Sequence, residues 1–254
     1  MYRVKKFFIL LFITILILIG YYIPFFITKS PPIVTINNKL YYTYSKELEI
    51  PPFTIFSEKD ISSLKYMKWL KVISISVENL NDISFFSQMN NLEEIYFTNL
   101  DCQINDWNPI ENCINLKSFS GTFLKLNDLE CFSTLNDLKY LCLLDCEVKD
   151  ISGIENLENL NTFEISGKNT DDFTSLNKLS NLSTLKILDA DITDISFIKD
   201  LKNLNNLSLY GNKIQDYSAV FELPNLKKLT IDKGALTEDE LIKLKEKGIN
   251  IIEV

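Results

Sequence analysis

Asn203–Leu226 reads NLNNLSLYGNKIQDYSAVFELPNL, and the leucine at its second position returns as its last, 22 residues on. The same leucine stands at Leu70, Leu92, Leu116, Leu138, Leu160 and Leu182, at intervals of 22 apart from one of 24 between Leu92 and Leu116. A period of this size denotes one small unit stacked on copies of itself. No single unit can bury its own apolar side, so the stack makes the core.

Inside the quoted coil, Leu207 and Leu209 follow the anchor by three and five residues, which is the alternation of a strand with one face inward. Ile73 with Ile75, Ile95 with Phe97, Phe163 with Ile165 and Leu185 with Ile187 repeat the pair, whereas the third coil has Phe119 and then Gly121. Further along each coil an aspartate recurs at Asp82, Asp106, Asp128, Asp150, Asp172, Asp194 and Asp216, each followed by an apolar residue. One carboxylate per coil cannot supply the six to eight oxygens of a calcium site, but it suits the start of a helical turn. Asparagine precedes most anchors (Asn91, Asn115, Asn159, Asn181, Asn203, Asn225) and fits a turn leading into the strand. The unit is therefore a short strand, a turn, a helical or 3-10 segment and a return.

This spacing resembles the leucine-rich repeat, and in its 22-residue form the internalin-type repeats of bacterial surface proteins. The resemblance spans Leu70 to Ile231. It implies an α/β solenoid, with a curved parallel sheet on the concave side, short helical or 3-10 segments on the convex side, and recognition of a partner through the concave face. The asparagine typical of the family, eight residues after the anchor, survives here as Asn212; Leu124, Cys146 and Ala190 replace it elsewhere.

Composition bounds the chemistry. The 254 residues contain no histidine, which removes the usual general base and the commonest metal ligand. The five cysteines form no C-x-x-C pair, and Cys146 reads as a small buried filler. No nucleophile with its base, phosphate-cradling loop or metal set is visible, so the chain reads as a non-enzyme without cofactor. The formal net charge is −8, and −11 once Arg3, Lys5 and Lys6 are set aside; such a body repels phosphate backbones and disfavours nucleic acid.

Those three basic residues precede Phe7–Thr28, a run of 22 residues without a charge. As a helix it would reach about 33 Å, enough to cross a bilayer, and the flanking charges put the N-terminus in the cytoplasm and the repeats outside. Residues 1–29 are accordingly expected to form a cytoplasmic stub and transmembrane anchor. A secreted form, after removal of this run as a signal, is the alternative. Residues 30–52 read as a partly extended spacer, residues 53–236 as the solenoid and residues 237–254 as a cap. In the cap, Thr237 and Glu240 form a capping box ahead of a helix that ends at Gly248.

Ligand recognition is expected on strand residues that point away from the core. The outstanding ones are Tyr96, Tyr140, Cys142, Leu144, Glu164, Lys186, Leu188 and Tyr210. The reading is a membrane-anchored, extracellular repeat protein that binds a protein or cell-envelope ligand. A non-catalytic accessory subunit of a membrane complex is the other reading.

Overall fold

A computed structural model describes residues 31, 33–50, 56–77, 80–99, 103–167 and 172–254. The expected transmembrane run lies outside them. Among the described residues, no helix is long and apolar enough to cross a membrane.

The strands are β1 (Ile33–Ile36), β2 (Lys39–Tyr42), β3 (Glu47–Glu49), β4 (Val72–Val77), β5 (Glu94–Asn99), β6 (Ser118–Thr122), β7 (Lys125–Leu126), β8 (Tyr140–Leu144), β9 (Glu147–Val148), β10 (Thr162–Ser166), β11 (Thr184–Leu188), β12 (Asn206–Ser208), β13 (Lys228–Ile231) and β14 (Asn250–Glu253). Among the described residues two α-helices, α1 (Glu58–Leu64) and α2 (Glu238–Glu246), lie near the ends of the stack. Among the described residues ten strands make one parallel sheet, in the order β3-β4-β5-β6-β8-β10-β11-β12-β13-β14. Its register follows the sequence period, with Phe163 beside Leu185, Leu185 beside Leu207 and Leu207 beside Leu229. The 24-residue interval is absorbed without a slip, because Ile95 still pairs with Phe119.

All eight anchor leucines are buried, none more than 6% exposed. Each such burial stabilises by about 2 kcal/mol, and the columns above and below are made of the same residue type. The return path of most coils is a single 3-10 turn, as at Ser84–Gln88, Thr174–Lys178, Ser196–Asp200 and Ser218–Glu222. The recurring aspartate opens it. Asp82, Asp106, Asp128, Asp150, Asp172, Asp194 and Asp216 each accept, through Oδ1, the backbone N–H two residues on, at 2.7–3.0 Å. The aspartate sits one residue ahead of the position expected for a capping residue, which is taken by the apolar residue that follows it.

The asparagine column does more than shape a turn. Asn91, Asn115, Asn159, Asn181, Asn203 and Asn225 each donate Nδ2 to a backbone carbonyl of the preceding coil, at 2.7–2.9 Å. These bonds tie the coils together at the turns that lead into the sheet strands.

The N-terminal segment departs from the expected spacer. β1 and β2 form an antiparallel hairpin around Asn37 and Asn38, both with φ near +50°, and β3 joins the main sheet beside β4. An Asn-Asn pair tolerates the left-handed backbone that a two-residue hairpin turn requires. Val34 and Ile36 are buried against α1, whose capping box joins Ser57 and Asp60. Asp60 Oδ1 also accepts the Asn37 N–H at 2.8 Å, fixing the hairpin to the helix. Burial opposes the ionised form of Asp60, but hydrogen bonds from Ser57 and Asn37 outweigh it and hold the carboxyl below its usual range. Glu58–Leu64 is thus the closing helix of this end. At the other end α2 carries the Thr237–Glu240 capping box, and β14 pairs with β13 to finish the sheet.

Candidate concave interface

The outward residues of the parallel strands fall in columns, because the register puts Ser74 beside Tyr96, Tyr96 beside Ser120, Ser120 beside Cys142, Cys142 beside Glu164, and Glu164 beside Lys186. Tyr96 is exposed, and Tyr140, Leu144, Glu164, Lys186 and Tyr210 are partly exposed. Cys142 and Leu188 are buried, which corrects their expected place on the binding surface. Neither belongs to the hydrophobic core. Strands about 4.8 Å apart leave short side chains in the shade of long ones, and Cys142 lies between Ser120 and Glu164 and hydrogen-bonds Tyr140. Leu188 pairs with Ser166 and precedes Asp189, whose N–H bonds the Tyr210 carbonyl.

The polar members of the surface hold each other in place. Lys186 Nζ meets Glu164 Oε2 at 2.9 Å across neighbouring strands, with Glu164 largely screened from solvent. Tyr96 donates its hydroxyl to Glu94 Oε2 at 2.7 Å. Burial, together with contact to Cys142, raises the Tyr140 hydroxyl pKa above its ordinary value. The Tyr96 hydroxyl is raised chiefly by the hydrogen bond to Glu94. Both phenols therefore stay protonated donors at neutral pH. The surface presents two aromatic rings with hydroxyl donors beside a fixed ion pair, which suits an interface with a partner.

Among the described residues the thiols are poor nucleophiles. Burial pushes Cys113 and Cys146 up to about 12 and raises Cys131 and Cys142 as well, so the nucleophilic thiolate is suppressed. Among the described residues no three His, Cys, Asp or Glu side chains gather as a metal set.

Phe123 was not singled out in the sequence. It has φ +59° and is 48% exposed, seven residues after its anchor, where other coils carry Asp145, Gly167, Asp189 and Gly211 in the same left-handed region. A bulky residue in that conformation is strained, and the column of Asp and Gly in the sequence was the available signal. Its N–H bonds the Leu144 carbonyl at 3.0 Å, placing this ring on the rim next to the concave residue Leu144.

The in-register parallel sheet with its 3-10 return turns defines a leucine-rich repeat solenoid. Internalins are among the solved structures whose fold it resembles. It is similar to an internalin from Listeria monocytogenes at 26% identity and a TM-score of 0.66, over 76% of this chain and 57% of that one. A second Listeria monocytogenes internalin matches at 23% identity and 0.57, over 73% and 80% of the two chains. A leucine-rich repeat protein from Leptospira interrogans matches at 16% and 0.55, over 75% and 56%. The chain thus spans little more than half of the first of these. A scan against protein-family models and a search of curated proteins found no match.

Proposed function

We propose that this is an extracytoplasmic recognition protein, held to a membrane by Phe7–Thr28, that binds a protein or cell-envelope ligand on its concave face. The fold class supports a role in protein recognition, and the absence of histidine and the suppressed thiols support a non-catalytic one. The observation that carries the reading is the concave set of Tyr96 and Tyr140 beside the Glu164–Lys186 pair. Aromatic anchors of this kind dominate binding energy where they occur, at about 2 kcal/mol or more each. The acidic body supports a partner other than nucleic acid.

The test is capture by the fragment Ser30–Val254, with retained material identified by mass spectrometry. Replacing Tyr96, Tyr140 and Tyr210 together by alanine should leave the circular-dichroism spectrum intact and weaken capture at least tenfold. Unchanged capture would contradict the concave reading and favour an accessory subunit. Protease added to intact cells should degrade the repeats; complete protection would contradict the extracytoplasmic placement.

A further inference from the structure

The outer face of the β1–β2 hairpin has no partner among the described residues. Strand alternation puts Leu40 and Tyr42 on that face, and Tyr44 continues it, with its ring stacked on Tyr42 at a centroid distance of 5.1 Å. Leu40 is 73% exposed, the most exposed of the large apolar side chains described. Trp69, at the same end of the stack, is 39% exposed and carries the Lys46 ammonium 5.5 Å from its ring centre. By contrast the opposite hairpin face, with Val34 and Ile36, is sealed against α1.

Charge separates this end from the rest. Residues 31–77 carry six lysines and four carboxylates, a formal charge of +2, whereas residues 78–254 carry sixteen lysines and thirty carboxylates, −14. Distance points the same way. Thr28 ends the uncharged run and Ile33 begins the hairpin five residues on. At about 3.5 Å per residue the two are never more than about 17 Å apart. Tyrosine and tryptophan favour the zone between hydrocarbon and water, and lysines beside them reach its phosphates.

We propose that the hairpin is a docking foot, whose Leu40–Tyr42–Tyr44 face rests in the headgroup layer of an anionic lipid bilayer. This rests on the reading of Phe7–Thr28 as a retained anchor. The foot holds the acidic solenoid away from the membrane, because the acidic residues of 78–254 are repelled by the same headgroups that attract the basic end.

The experiment uses the full chain reconstituted into vesicles of phosphatidylcholine and phosphatidylglycerol, with brominated acyl chains as quencher. The Leu40→Trp and Tyr42→Trp variants are compared with Ile242→Trp, an exposed position on α2 at the far end; native Trp69 and Trp107 form a common background. The emission added at residues 40 and 42 should fall at least threefold with brominated lipid, and that added at residue 242 should not change. Equal emission at all three sites, in a chain that alkaline carbonate leaves in the membrane, overturns the docking foot but not the anchor. Release of the chain by carbonate overturns both. A blue-shifted, unquenched residue-40 signal that grows with protein concentration overturns the proposal in favour of a second copy of this chain.

Discussion

The coils that begin at Leu204 and Leu116 have the same place in the repeat and opposite interiors. In the first, Asn212 Nδ2 donates to the carbonyls of Ile187 and Leu209 at 2.8 Å, and its Oδ1 accepts the N–H groups of Ala190 and Ile192 at 3.2 and 3.3 Å. One side chain thus stitches its own coil to the one before. In the second, the corresponding residue is Leu124, fully buried. It fills the hole left by Gly121, where other coils have leucine, isoleucine or phenylalanine, and a Cβ at Gly121 would collide with Leu124 Cδ1. Cys146, at the same position of the next coil, makes the bonds that Asn212 makes: its Sγ accepts the Leu124 N–H at 3.4 Å and donates to the carbonyl of Gly121 at 3.6 Å. The β7–β9 pair adds backbone bonds at the same place, including Glu147 N–H to the Leu124 carbonyl at 2.7 Å. The position thus tolerates an amide, a thiol or a leucine, and the thiol keeps part of the amide's bonding between coils.

The largest effect should come from Asn212→Leu. It strands two carbonyls and two N–H groups at once, and at about 1 kcal/mol or more for each poorly solvated group the loss should be about 3–4 kcal/mol. For a chain of this size Tm should then drop by about 10 °C, read by calorimetry. A change within 2 °C would show that the ladder is dispensable here too. Gly121→Ala should cost about 2 kcal/mol through overpacking, and Leu124→Ala in the same chain should recover at least half of it. Additive losses in that double-mutant cycle would show that the two positions do not compensate each other.

How much of this could be read beforehand divides along the same line. The anchors, the strand pairs and the aspartate column each reflect a residue and its own coil, so the period exposes them. Gly121 was visible as a break in the pattern, but its filling by Leu124 and its bond from Cys146 depend on side-chain contacts that the period does not record. The burial of Cys142 and Leu188 was hidden for the same reason: it depends on what neighbouring strands place beside them. The hairpin was missed although Asn37-Asn38 marked it, because it follows no period and pairs antiparallel. The exposed Phe123 was missed because its position lies just past the strand, outside the alternation.

Phe123→Gly tests that last point. It should stabilise the protein by about 1 kcal/mol by relieving left-handed strain, raising Tm by about 2–4 °C. A loss of stability would mean that the ring packs more tightly than its exposure indicates. The smallest effect is electrostatic. Hydrogen bonds from Lys117 and Lys71 hold Glu93 at a pKa of about 2. A depressed carboxyl contributes its share of stability above its ordinary value near 4.5, and loses it as pH falls toward 2. Replacing both lysines by methionine should move the Glu93 titration midpoint up toward 4.5 in carboxyl-carbon NMR. An unmoved midpoint would mean that the pairs do not persist in solution.

The central claim is that the coils stack in register, one strand per repeat. Spin labels at Lys227 paired with labels at Asn161, Lys139 or Lys117, all exposed, test it by pulsed electron-spin distance measurement. The stack predicts distances that lengthen by about 4.8 Å with each added coil, reaching about 24 Å at Lys117. Distances that fail to rise in even steps along this series would contradict it.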